Sequence, residues 1–357
     1  MLEKPSLKTT IRDPGFRRDD DAKNRAVNSS RLVEPTPEAL AEAGARVRRG
    51  GLVAFPTETV YGLGADATQG LAVAAIYSAK GRPSFNPLII HVESALNAAQ
   101  LVTFTPLAER LAEAFWPGPL TLVLPRTLAC PVADLAGAGL ATLAVRVPAH
   151  PVALAFLRAA ARPVAAPSAN PSGTLSPTRA EHVMAAFDES VVPFVLEGGP
   201  GAVGLESTVV DLTEDTPTIL RPGGVTREAL ERIVGGRVRV AHEDPTAPRS
   251  PGMLARHYAP GKPVRLNARA VEPDEALLAF GPDAAIPGGV ARVNLSPRGD
   301  LVEAAAHLFS MMRTLEQTPC RRMAVMPIPD EGLGLAINDR LRRAAHPATE
   351  GTDEGGT

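Results

Sequence analysis

Proline and glycine set the frame for this chain, with 35 prolines and 31 glycines spread through 357 residues. Proline ends a helix or a central strand, and glycine loosens either one. A chain punctuated in this way builds short elements joined by fixed turns. That excludes coiled coils and long helical bundles, and the lack of a strict glycine period excludes collagen. Hydrophobic residues make up 45% and charged residues 21%, so a real core can be buried. No apolar run reaches the ~20 residues that span a bilayer, and no membrane partner is expected. The charge balance of 37 basic against 39 acidic residues argues against wholesale electrostatic binding of nucleic acid, though a local basic cleft stays open. Cys130 and Cys320 are far apart, which implies neither a disulfide framework nor a zinc knuckle. The N-terminal residues mix both charges without the apolar stretch of a secretory signal, so the expected location is the cytoplasm.

Short apolar runs alternate with helical patterns, which predicts an α/β fold. Residues 1–35 read as a disordered extension. A catalytic domain is expected over 36–240. Its helices are predicted at 37–48 after a Thr36 cap, at 71–80, 106–115 and 151–160, at 177–187 capped by Ser176, and at 226–235 closed by Gly235. Its strands are predicted at 52–55, 88–92, 120–124, 143–147, 163–166 and within 193–222. A Pro-rich linker or lid follows at 241–263, then a small α/β domain at 264–346 and a frayed tail at 347–357. The face of Leu301, Leu308 and Leu315 in the 300–317 helix reads as core packing.

Gly199, Gly201 and Gly204 fit G-x-G-x-x-G, but a strand pattern follows where a dinucleotide site needs a helix, so this match is set aside. No P-loop, H-E-x-x-H or C-x-x-C occurs, and no protein-built metal site is expected. The informative segments hold polar residues between prolines and glycines at strand ends. In PTETVYGLG (56–64), the hydroxyls of Thr57 and Thr59 either bind a polar substrate or satisfy their own turn. Pro83 and Pro87 fix the loop that carries Lys80, Arg82 and Asn86, a presentation suited to polyphosphate. His91, in an apolar strand, reads more readily as core than as a ligand contact. Arg146 in such a strand needs a partner, either a structural carboxylate or, the favoured reading, a substrate carboxylate. APSANPSG (166–173 with Ala165 before it), Ser176 and the Ser207 and Arg221 segments add further hydroxyls and a cation. Lys, Arg, Ser and Thr without a nucleophile–base pair suit chemistry by positioning and charge neutralisation, as in nucleotidyl transfer.

These motifs, with WPGPLT, RVP, ESTVVD, LRPG and SPGMLARHYAP in this order, resemble the YrdC-like family of threonylcarbamoyl-AMP synthases in its long two-domain form. The resemblance covers roughly residues 36–345. It implies a twisted mixed-sheet catalytic domain and a smaller Rossmann-like C-terminal domain. It implies a nucleotidyltransferase that condenses L-threonine, bicarbonate and ATP, with Mg²⁺ accompanying the ATP, to threonylcarbamoyl-AMP and pyrophosphate. Downstream transfer proteins then modify tRNA, which this chain meets only indirectly; an association with double-stranded RNA is also implied. By the same resemblance, Lys80 and Arg82 are catalytic. Thr59, His91, Arg146, Ala166 and Ser207 surround L-threonine, with Arg146 on its carboxylate. Lys80, Arg82, Asn86, Thr142, Ser168, Ser176, Arg221 and Tyr258 surround the nucleotide, Tyr258 reaching back from the lid. Leu254 and Ala255 depart from the bulkier pair the family carries there. The competing reading is a non-catalytic RNA-binding module on the same cleft. The scarcity of aromatics disfavours it, because single-strand binding uses aromatic platforms.

Overall fold

The computed structural model describes residues 31–241, 257–282 and 286–347. In chain order the first part runs β1 (Leu32–Val33), α1 (Pro37–Arg48), β2 (Val53–Phe55), β3 (Gly62–Asp66), α2 (Gly70–Lys80), β4 (Ile89–His91), α3 (Ala95–Ala99), α4 (Pro106–Phe115), β5 (Leu120–Pro125), β6 (Thr142–Arg146) and α5 (Pro151–Ala160). It continues with β7 (Val164–Ala165), α6 (Ala180–Ala186), β8 (Val195–Leu196), β9 (Thr208–Asp211), β10 (Thr218–Arg221), α7 (Arg227–Val234) and β11 (Arg239–Val240). These strands form one mixed sheet in the order β1-β8-β2-β3-β7-β4-β6-β5-β9-β10-β11. The second part holds β12 (Val264–Arg265), β13 (Glu275–Ala279), β14 (Ala291–Asn294), α8 (Leu301–Glu316), β15 (Arg322–Val325) and α9 (Gly334–Ala345). Its four strands are all parallel, in the order β12-β15-β13-β14. The mixed α/β class and the two-part layout follow the sequence-based expectation.

Local chemistry explains the helix boundaries. The hydroxyls of Thr36, Thr105 and Thr226 accept from backbone amides one turn into α1, α4 and α7, which satisfies donors a helix start leaves bare. Gly235 ends α7 in the left-handed region, as expected. The large sheet is covered on its two faces by separate apolar clusters. One gathers Leu63, Ile76, Leu88, Leu122 and Val145; the other gathers Phe55, Phe156, Val164 and Leu196. Strands β4 and β6 are buried along nearly their whole length, as their continuous apolar runs require.

Three corrections and one addition apply. The ordered chain begins before residue 36. Leu32–Val33 pairs in parallel with β8, and Arg31 donates to Val192 O (3.3 Å) and Met184 O (2.6 Å); residues 1–30 lie outside the described residues. The segment GLGAD, for which no strand is predicted from the sequence, is strand β3, antiparallel to β2. Its glycines hide the strand pattern, and they are needed because a Cβ at Gly64 would stand 3.0 Å from the Phe55 ring. Ser176 caps no helix. Helix α6 starts only at Ala180, its N-cap Arg179 supplies no side-chain bond, and Ser176 points elsewhere. Finally, Gly204 of the glycine fingerprint serves packing between the two parts. Its φ is +72°, and an added Cβ would fall 2.5 Å from Ala305 O in α8. Most of the linker, residues 242–256, lies outside the described residues, including Leu254 and Ala255.

Candidate functional site

The strand order places β3, β7, β4, β6, β5, β9 and β10 side by side. Segments far apart in sequence meet there around one cavity of about 40 Å³. Because the sheet is mixed, its wall draws on both strand ends. Arg146 and Arg221 close β6 and β10, whereas Ser207 precedes β9 and Ile89 opens β4. A purely parallel sheet would have offered carboxyl ends alone. Of the residues picked out from the sequence, Thr59, Arg82, His91, Arg146, Ala166, Ser168, Ser207, Arg221 and Tyr258 line the cavity.

Three arginines dominate its electrostatics, and each is held in place. Arg146 Nη2 donates to Glu58 Oε1 (2.6 Å) and Thr59 Oγ1 (3.0 Å), and its Nε donates to Gly118 O (3.2 Å). The expectation that Arg146 waits for a substrate carboxylate is therefore corrected in part, since a protein carboxylate already pairs it. Arg82 donates through Nη2 to Asn86 Oδ1 (2.6 Å) and Pro87 O (2.9 Å), and through Nε to Asn86 O (3.2 Å). The two prolines thus fix the loop that its fork grips. Arg221 donates to Ser207 O (3.0 Å) and Ser207 Oγ (3.1 Å), and that hydroxyl also meets Thr121 Oγ1 at 2.7 Å. Burial, opposed by the phenols of Tyr77 and Tyr258, lowers Arg82 to about 10. It therefore stays cationic at neutral pH.

Other expected residues stand behind this wall. Lys80 ends α2, and its Nζ donates to the carbonyls of Ser168 (2.6 Å) and Asn170. Burial, then the Arg82 charge, pushes its pKa well below the ordinary lysine value. Asn86 is fully buried, and its Nδ2 has no hydrogen-bond partner among the described residues. Ser176 donates to Glu206 Oε1 at 2.5 Å. Thr142 opens β6, four residues before Arg146, and does not line the cavity. The Thr57 hydroxyl donates to Val60 O (2.6 Å) and closes its own turn. His91 both packs and faces the cavity. Its ring meets Phe55 edge-on at 6.1 Å, and burial with the Arg146 charge lowers it to about 3, so it is neutral at neutral pH.

The cavity is roofed from the second part. His257 and Tyr258 line it, and Tyr258 is 1% exposed. The Tyr258 ring stacks on Phe309 of α8 (5.6 Å, 30°) and lies beneath Arg340 of α9 at 4.9 Å. Glu206 also lines the cavity. Burial alone would raise its carboxyl, but the Arg340 and Arg221 cations outweigh burial and hold it below the ordinary value. Glu58, Thr121 and Arg340 were not singled out from the sequence. The only signal available for Glu58 was its place in the PTETVYGLG segment; Arg340 sits in a charged helical run that reads as a solvated face.

A larger apolar groove, about 500 Å³, is lined by Leu96, Phe104, Trp116 and Val147. It lacks the cations of the first cavity. No helix among the described residues is long and apolar enough to cross a membrane.

Comparison with known proteins agrees with this architecture. The family model described as Telomere recombination (Sua5_yciO_yrdC) matches residues 45–223, and that described as Threonylcarbamoyl-AMP synthase, C-terminal domain, matches residues 225–346. The chain is 40% identical over 325 residues to the Threonylcarbamoyl-AMP synthase of Bacillus subtilis, covering 86% of this chain and 92% of that one. It is 42% identical over 316 residues to the protein of that name from Pyrococcus abyssi, covering 84% and 92%. The crystal structure of P. abyssi Sua5 complexed with L-threonine superposes with a TM-score of 0.80 at 38% identity, covering 88% of this chain and 97% of that one. The chain belongs to the threonylcarbamoyl-AMP synthase family, in its two-domain form.

Proposed function

We propose that this chain is an L-threonylcarbamoyladenylate synthase, a nucleotidyltransferase acting on L-threonine, bicarbonate and ATP. The observation that carries this reading is the convergence of Arg82, Arg146 and Arg221, with the hydroxyls of Thr59, Ser168 and Ser207, on one cavity without a nucleophile–base pair. Such a wall positions anions and neutralises charge. The threonine amine adds to bicarbonate to give a carbamate with loss of water. A carbamate oxygen attacks the α-phosphorus of ATP, the bond to the β-phosphate breaks, and pyrophosphate leaves with the bonding pair. Arg146, His91, Thr59, Ala166 and Ser207 form the threonine side, and Arg146 presents a guanidinium whose plane Glu58 and Gly118 already fix. Lys80, Arg82, Asn86, Ser168, Ser176, Arg221 and Tyr258 form the nucleotide side, with Thr142 at its edge.

The buried amide of Asn86 offers a donor beside Arg82, and a triphosphate arriving near Lys80 raises the pKa that burial has lowered. Magnesium enters as the ion carried by the ATP phosphates. The carboxylate of Glu206 is taken up by Arg340 and Ser176 and is not offered to a metal. A cavity of about 40 Å³ is far smaller than the ~300–1,000 Å³ of a ligand site. Admission of ATP therefore requires Tyr258 and His257, which roof this cavity, to swing out. In this reading the product passes to tRNA-modifying transfer proteins in the cytoplasm. The test is incubation with ¹³C-bicarbonate, L-threonine and MgATP. Mass spectrometry should find labelled threonylcarbamoyladenylate, and its absence from folded, ATP-binding protein would sink the proposal.

A further inference from the structure

We infer that Arg340, on the last helix of the second domain, is a positioning residue of the nucleotide site. It neutralises Glu206 in the cavity wall and seats Tyr258 above it, so the site is complete only with the second domain docked. The inference rests on reading the cavity as the ATP site.

Glu206 is the sole carboxylate among the described residues that line this cavity. A buried carboxylate facing an incoming triphosphate is a liability, because like charges repel most where water is excluded. Arg340 answers it. The residue is 1% exposed, and its Nε donates to Glu206 Oε2 at 2.8 Å. Its Nη1 donates to Asp339 Oδ2 at 2.5 Å, and its Nη2 to Pro222 O at 2.9 Å, next to Arg221. Three nitrogens of one planar fork thus engage three acceptors on different sides, while the face of the fork lies over the Tyr258 ring. A lysine carries the charge but not the plane. Asp339 also accepts from Arg343 Nε (3.2 Å), which locks the fork from behind.

The lid residue needs such support. Tyr258 sits at φ +58°, a conformation that L-residues adopt only when their surroundings impose it. Phe309 and Arg340 grip its ring from two helices of the second domain, and the His257 amide donates to Arg343 O. Val60, Leu175, Leu205 and Tyr258 join Leu308, Phe309, Met312 and Ile337 in one apolar cluster. Arg340, with Asp339 and Arg343 behind it, is the polar centre of a junction whose remaining contacts are largely apolar. Its other oxygen partner, Glu206, in turn holds Ser176.

The test compares steady-state kinetics of the full chain with those of Arg340→Met, Arg340→Lys and the double variant Arg340→Met/Glu206→Gln. Arg340→Met strands a buried carboxylate and should raise the KM for ATP about tenfold or more. The KM for threonine should stay within about twofold, a split that loss of folding alone does not produce. The double variant removes the stranded charge and should bring the ATP KM back toward wild type. Arg340→Lys should fall between wild type and Arg340→Met, and it keeps the test alive if the methionine variant fails to fold. An unchanged ATP KM in the lysine and methionine variants, or no recovery in the double variant, overturns the role of Arg340. A wild-type chain that releases no pyrophosphate in response to threonine would instead overturn the reading of the cavity.

Discussion

The two domains handle charge in opposite ways. The large mixed sheet gathers cations at one cavity and fixes them mostly against carbonyls and hydroxyls, as Arg82 is fixed by Asn86 and Pro87, with Glu58 pairing Arg146. The small parallel sheet pairs its buried Glu275 with Arg265 and Arg322 inside the domain, and at the junction Arg340, Asp339 and Arg343 form one chain of ion pairs. In the proposed reading the catalytic chemistry resides in the first domain, while the second supplies the groups that roof and neutralise it. A domain that carries no motif can still complete a site.

The sharpest way to break this contrast is Arg146→Ala. It removes a threonine-side cation and leaves Glu58 buried without its partner, so stability should fall by about 3–5 kcal/mol and threonine use should collapse. Denaturant unfolding and threonine-dependent rates measure both, and a stable, threonine-competent variant would contradict the assignment. Gly204→Ala probes the junction. Its Cβ would press on the α8 backbone, and the expected cost is about 1–3 kcal/mol, read as a lowered unfolding midpoint with looser closure over the site. Arg82→Ala should weaken ATP use by about 1–3 kcal/mol while sparing threonine binding. Equal ATP kinetics in mutant and parent would remove Arg82 from the site.

In the first domain acid should act through His91. His91 titrates at about 3 in the folded chain, against an ordinary value of 6.5. The unfolded chain therefore binds the extra proton between these values. This contribution to stability is intact above pH 6.5 and is lost as pH falls toward 3, at up to ~1.4 kcal/mol per pH unit. Urea midpoints across that range should slope less steeply in His91→Asn. The smallest effect is reserved for the surface. Arg158 pairs with Glu93 at 2.9 Å, but both are well exposed, so Arg158→Ala should change neither activity nor stability by more than ~0.5 kcal/mol.

Much of the first domain was legible because prolines and glycines frame its polar segments. Arg82 between Gly81 and Pro83, and Arg146 inside an apolar strand, announce themselves. What escaped depends on tertiary partners. Strand β3 was hidden by glycines whose purpose is the Phe55 ring packed against them. Ser176 looked like a helix cap because the pull of Glu206, 30 residues away, has no local signature. Arg340 was illegible for the same reason. In DRLRR one arginine looks like the next, and only docking decides that residue 340 is buried while Arg342 stays exposed. The partner of Arg146 was half legible, since Glu58 lies in a segment already marked for function.

The central claim is that one arginine-lined cavity joins threonine to ATP. It is tested most directly by initial rates of pyrophosphate release from the purified full chain with ATP and bicarbonate, at increasing L-threonine. The account predicts release that rises from near zero and saturates with threonine, and that fails without bicarbonate. Pyrophosphate release at the same rate with and without threonine would contradict it.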